Sequence, residues 1–191
     1  LKEIAEIYEA RSSGTPLSLP ELSLQYTDYA GWQHQYFTGQ VLEDELSYWR
    51  NQLEGAPKLL DLPTDHPRLS AQSFAGAEEE LIVDAETTRA LNELSLSANV
   101  TLFMTLLSVF KLLLYRYSGQ ERIVVGVPIS NRNRQEIENL IGFFVNTLVL
   151  HTELAGDPTF IELLARVREV ALEAYAHQDV PFDKLVEELN P

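Results

Sequence analysis

The stretch from Val100 to Tyr115 is the most apolar in the chain, and it constrains everything around it. Thr101, Thr105, Ser108 and Lys111 interrupt it, and it falls short of the ~20 consecutive apolar residues of a membrane span, so it reads as a core helix. Its apolar residues leave no continuous polar face. A helix of that kind is expected to be buried on every side. Thr101 is placed to N-cap it, and Gly119 to close it in the left-handed conformation. Two β-branched runs follow, Ile123 to Val127 and Phe144 to Leu150, both of strand length and both expected as central strands of a sheet.

Upstream, Leu1, Ile4, Ala5 and Tyr8 repeat at the spacing of one helical face, and Ser12 to Pro16 closes that helix. Tyr26, Tyr29, Ala30, Gln33 and Phe37 trace a second helical face, ending near Gly39. Leu42, Leu46, Trp49 and Leu53 mark a third helix. The proline-containing stretch from Gly55 to Gly76 has no sustained period and reads as a connector. Glu80 to Val83 suggests a strand, and Asp84 is placed to N-cap a helix running to about Ala98. Thr159 and Glu162 form a capping box, after which Phe160, Leu163, Leu164, Val167, Val170, Ala171 and Ala174 trace an apolar face.

Composition narrows the function classes. Hydrophobic residues at 45% and charged residues at 23% are ordinary for a globular chain of 191 residues, for which one compact lobe is expected. Fourteen basic against twenty-nine acidic residues give a formal charge of −15, which repels nucleic acid and anionic membrane surfaces. The absence of cysteine excludes disulfides, thiolate metal ligands and thiol nucleophiles, and fits a cytoplasmic protein. The start, Leu1-Lys2-Glu3-Ile4, lacks an initiator Met and any signal pattern, as expected at a fragment boundary. His34, His66, His151 and His177 are scattered without ligand spacing, so no metal is expected.

A few residues invite a chemical reading. Strand alternation sets Asn146 in a row with Phe144, Leu148 and Leu150, where its carboxamide is buried. A buried amide needs partners or costs about 1–3 kcal/mol, so either a protein hydrogen-bond network or a ligand must hold it, the network being the commoner case. His177 ends an amphipathic helix just before Gln178, Asp179 and Val180-Pro181, a position that favours the helix dipole and caps free carbonyls. Tyr26, Asp28, Tyr29 and Trp32 form an aromatic set around one carboxylate; helical spacing makes core packing the simpler reading, with Asp28 structural. Arg132 and Arg134 lie close together in an acidic chain and could meet a phosphate, or be solvated or salt-bridged loop residues. Arg68 is a weaker candidate of the same kind.

Three segments taken together carry more. Tyr26-Thr27-Asp28-Tyr29-Ala30-Gly31-Trp32, Ile141-Gly142-Phe143-Phe144-Val145-Asn146-Thr147 and His177-Gln178-Asp179-Val180-Pro181-Phe182-Asp183 resemble, in order, the motifs YxD(F/Y)AxW, (I/V)GxFVNT and HQDxPF(E/D) of condensation domains of nonribosomal peptide synthetases. The resemblance covers nearly the whole chain. It implies the C-terminal lobe of a chloramphenicol-acetyltransferase-like α/β fold, a mixed sheet flanked by helices. Residues 1–54 are then a helical segment following the family's HHxxxDG motif, 55–77 a connector and 78–191 the lobe itself. No adjacent histidine pair occurs here, so the resemblance places the catalytic histidine outside this chain.

The implied reaction is amide formation between an acyl or peptidyl donor and an aminoacyl acceptor, both tethered to phosphopantetheine on carrier domains, with no directly bound cofactor. GFFVNT and HQDVPFD look like the forms of amide-forming members, not of epimerisation or heterocyclisation relatives. By resemblance Asn146 and Gly142 line the substrate channel. Tyr26, Asp28, Trp32, His177, Gln178, Asp179, Pro181 and Phe182 are structural or interface residues. The resemblance makes Arg132 and Arg134 candidates to meet phosphopantetheine, with the solvated or salt-bridged loop reading still open beside it. The implied partners are donor and acceptor carrier domains, an adenylation domain of the same synthetase and an N-terminal lobe. A rival reading is a noncatalytic module that docks a carrier protein.

Overall fold

A computed structural model describes residues 2–19, 21–66 and 76–189; Leu1 of the first helical face and Arg68 lie outside the described residues. The chain forms two compact units, one of residues 1–38 and 132–144, the other of residues 39–131 and 145–191. The third helix belongs with the sheet-bearing unit.

The first unit contains α1 (Lys2–Ser13) and α2 (Tyr26–Tyr36). Gly14 leaves α1 at φ +70°, a conformation that favours glycine. In α2 the Asp28 carboxylate accepts the backbone N–H of Gln25 at 2.8 Å, satisfying a donor at the helix start. The 132–144 segment makes a 3₁₀ turn at Gln135–Ile137, and Ile137, Leu140 and Phe144 form a small core on which Leu24 and Tyr29 pack.

The second unit is built on two antiparallel strands, β1 (Arg122–Ile129) and β2 (Asn146–Glu153), in register from Arg122 opposite Glu153 to Ile129 opposite Asn146. Asn146, Leu148, Leu150 and Thr152 alternate inward as a period of two requires, and all are buried. The face of Ile123, Leu148 and Leu150 is covered by α5 (Leu102–Ser118) and α6 (Phe160–Ala176). α4 (Ala85–Ser97) packs on α5, and α3 (Gly39–Gln52) packs on α7 (Phe182–Leu189), which meets β2. The caps fall where local chemistry requires: Asp84 accepts from Thr87 N–H at 2.7 Å and Thr101 from Met104 N–H at 3.2 Å. Gly119 closes α5 at φ +69°, and Thr159 and Glu162 exchange their capping bonds.

Three expectations are corrected. α5 is not buried on every side: Thr105, Ser108 and Lys111 are on its buried face, whereas Phe103, Leu106, Val109, Phe110 and Leu113 are exposed. The polar residues go inside because each finds a partner there. Ser108 donates to Met104 O at 2.8 Å, Thr105 and Ser95 share a hydrogen bond at 2.7 Å, and Lys111 reaches Leu150 O and Thr152 Oγ1. Residues 80–83 form no strand. With Leu81 and Ile82 at 88% and 83% exposure, the segment has no paired neighbour among the described residues to take its backbone hydrogen bonds. Finally, neither run is a central strand, because the sheet among the described residues has two strands and each keeps one free edge. The second strand starts at Asn146, and Phe144 packs instead in the first unit.

Candidate functional site

In the first unit the loop bearing Gly142 is held from several directions. Tyr26 Oη donates to Phe143 O at 3.0 Å, and its ring meets Phe144 edge-on at 5.2 Å. A Cβ at Gly142 would collide with Cδ2 and Cγ of Tyr26 and lie 3.0 Å from Cε2 of Phe144. Its φ is not in the left-handed region, so lack of space dictates glycine here. Gly142→Val is expected to lower stability by about 1–3 kcal/mol by displacing the Tyr26 ring. Hydrogen exchange across residues 132–144 should accelerate with it, and an unchanged thermal midpoint with unchanged exchange would contradict the steric argument.

Arg132 is engaged within the same loop. Its guanidinium donates to Ile137 O at 2.6 Å, to Glu138 O at 3.3 Å and to Gly142 O at 3.5 Å, and it lies 4.1 Å above the Phe144 ring. These donors face backbone carbonyls of the same loop. Arg134, exposed, lies 4.3 Å above the Trp32 ring. Tyr29 and Trp32 are partly buried, and their rings meet at 5.7 Å. Ile141 and Phe143 point outward at 84% and 77% exposure.

In the second unit Asn146 meets the segment His177 to Phe182. Its Nδ2 donates to Gln178 O and Val180 O, both at 2.8 Å, while its Oδ1 accepts from Thr147 N–H and Phe182 N–H, both at 2.9 Å. The second and third sequence motifs therefore touch through one side chain. His177 caps α6 with its backbone, but its ring goes elsewhere: Nδ1 is 2.9 Å from Glu45 Oε2 and the imidazole stacks on Tyr48 at 3.8 Å. Burial, with the fields of Glu173 and Glu45 added, pushes the Tyr48 hydroxyl up to about 12. Glu45 and Tyr48 carry no mark in the sequence as partners of His177, from which Glu45 is 132 positions away.

A groove of about 540 Å³ runs over the other face of the strands, with Val124, Gly126, Thr147 and Val149 as floor and Phe182 and Leu185 on one wall. Lys111, which reads in the sequence only as an interruption of an apolar run, has a specific place in the fold. Its Nζ donates to Leu150 O at 2.7 Å and Thr152 Oγ1 at 2.6 Å, and burial pulls it down from 10.5 to about 7. The signal was present: Thr105, Ser108 and Lys111 recur every three residues within an apolar run. No group of three or more His, Cys, Asp or Glu suited to a metal occurs among the described residues.

A family model described as "Condensation domain" matches residues 1–191. The chain belongs to the condensation domain family. It is 57% identical over 190 residues to a linear gramicidin synthase polypeptide of Brevibacillus parabrevis, covering 100% of this chain and 2% of that protein. Among solved structures, the X-domain from teicoplanin biosynthesis, solved alone and in complex with OxyB, superposes with a TM-score of 0.89 at 32% identity, over 96% of this chain and 42% of that one. The first condensation domain of the calcium-dependent antibiotic synthetase shares the fold, with a TM-score of 0.77 at 22% identity, over 97% of this chain and 41% of that one. The α/β lobe is thus of the chloramphenicol-acetyltransferase-like kind, and the condensation-domain chain spans a small part of the synthetase and about two fifths of the solved domains.

Proposed function

We propose that this chain is the C-terminal part of an amide-forming condensation domain in a nonribosomal peptide synthetase. The observation that carries this reading is the family match along the whole chain, together with the forms GFFVNT and HQDVPFD at residues 142–147 and 177–183. In the proposed reaction the amine of a carrier-bound aminoacyl acceptor attacks the thioester carbonyl of a carrier-bound donor. The amide bond forms, the donor's phosphopantetheine thiol leaves, and the lengthened chain remains on the acceptor carrier. A histidine of HHxxxDG, supplied from outside residues 1–191, positions or deprotonates the amine, help that contributes about 10²–10⁴ in rate. The present residues contribute one wall of the substrate path, with Gly142 shaping the loop beside Phe143. Arg134 is the better placed of the two arginines to meet a phosphate, since the Arg132 donors face carbonyls.

The test is a reconstitution. The complete domain containing this chain, supplied with loaded donor and acceptor carrier proteins, is expected to give dipeptidyl product, and residues 1–191 alone are expected to give none. Product from residues 1–191 alone would overturn the division of labour, and none from a complete domain with intact HHxxxDG would overturn the activity. The similarity to the X-domain solved with OxyB favours a second reading, a docking module without catalysis. A complete domain that binds a protein partner yet forms no amide would support it.

A further inference from the structure

The carboxamide of Asn146 has two N–H donors and two acceptor positions, and all four are taken by backbone groups. The partners come from two elements and the segment that joins α6 to α7. Gln178 O and Val180 O follow the end of α6, Thr147 N–H belongs to β2, and Phe182 N–H is the first of α7, one of the donors a helix leaves without an internal acceptor. The residue is 8% exposed, so no solvent competes strongly for these positions. The opposite end of the same segment is anchored by the His177 ring on Glu45 and Tyr48.

Few side chains fit this position. Two carbonyls on one side and two N–H groups on the other require a short group with both donors and acceptors, which fixes the amide orientation. Aspartate keeps the acceptor side but turns an oxygen toward two carbonyl oxygens. Alanine leaves all four backbone groups without the side chain that joins them.

We infer that Asn146 is a positioning residue: it clamps residues 177–182 and the start of α7 onto β2, and serves condensation without contacting substrate, because its amide has no vacant hydrogen-bonding position. The inference rests on the condensing activity proposed above. It replaces a channel-lining contact with a mechanical one. Through Phe182 it also sets one wall of the groove.

The experiment compares the complete domain carrying wild-type Asn146, Asn146→Ala or Asn146→Asp. Amide exchange is read at Thr147 and Phe182, and kcat and KM are measured from pH 5 to 8. In Asn146→Ala, Phe182 should lose protection and kcat should fall roughly tenfold or more, with KM nearly unchanged. Asn146→Asp should regain both protection and kcat as pH falls, because a protonated carboxyl can donate to one of the facing carbonyls; the wild type should show no such recovery. Phe182 remaining protected in Asn146→Ala, a loss confined to KM, or an Asn146→Asp profile parallel to wild type would each overturn the clamp. Should Asn146→Ala fail to fold, the pH-dependent exchange of Asn146→Asp decides. If the wild-type domain forms no product, the activity reading fails, while exchange at Phe182 still judges the clamp.

Discussion

Leu107→Asp is expected to unfold the sheet-bearing unit. Leu107 is 6% exposed on the inner face of α5, one turn after Met104 N–H receives its cap from Thr101. A carboxylate there gives up the burial of a leucine side chain and must either be desolvated or force α5 off the strands, a change in the class of about 3–5 kcal/mol. Lys111 lies one turn further along the helix and is the charge that could soften the loss. The double variant Leu107→Asp/Lys111→Met removes that compensation and should be the less stable of the two. Thermal melts followed by circular dichroism check this. A soluble Leu107→Asp with native ellipticity and an unchanged midpoint would show that this side of α5 is not core.

Stability is expected to rise with pH between about 7 and 10, and Lys111 is the reason. The folded ammonium loses its proton near 7, whereas the unfolded one keeps it to 10.5. Within that window the unfolded chain binds the extra proton, so raising the pH favours the folded state; below about 7 both states are protonated and the gain is absent. At ~1.4 kcal/mol per pH unit, the window from about 7 to 10.5 corresponds to about 5 kcal/mol. Lys111→Met keeps the volume, removes the charge and should flatten the profile, with stability at pH 7 equal to or above wild type. The measurement is a set of urea midpoints from pH 6.5 to 10 for both proteins. Parallel profiles would mean that the ammonium stays charged in the folded state.

The sequence by itself determined whatever depends on residues a few positions apart. Asp84, Thr101 and Thr159 cap their helices because a short oxygen side chain reaches an N–H two or three residues on, and Gly119 ends α5 because a left-handed residue there is cheapest without a Cβ. The inward alternation of Asn146, Leu148 and Leu150 followed from the strand period, and family membership followed from three local motifs. Tertiary structure decided which groups those local elements bring together. Asn146 was legible as a buried amide, but its acceptors lie 32 and 34 residues away, so the clamp required α6 and α7 in place. Lys111 read as an interruption on an apolar helix and became its innermost cation, because Leu150 O and Thr152 Oγ1 lie across the unit. Arg132 read as a possible phosphate contact until the folded loop turned three carbonyls toward it. Residues 80–83 read as a strand on composition alone, yet pairing is a property of two segments, and among the described residues this run has no neighbour to take its backbone hydrogen bonds.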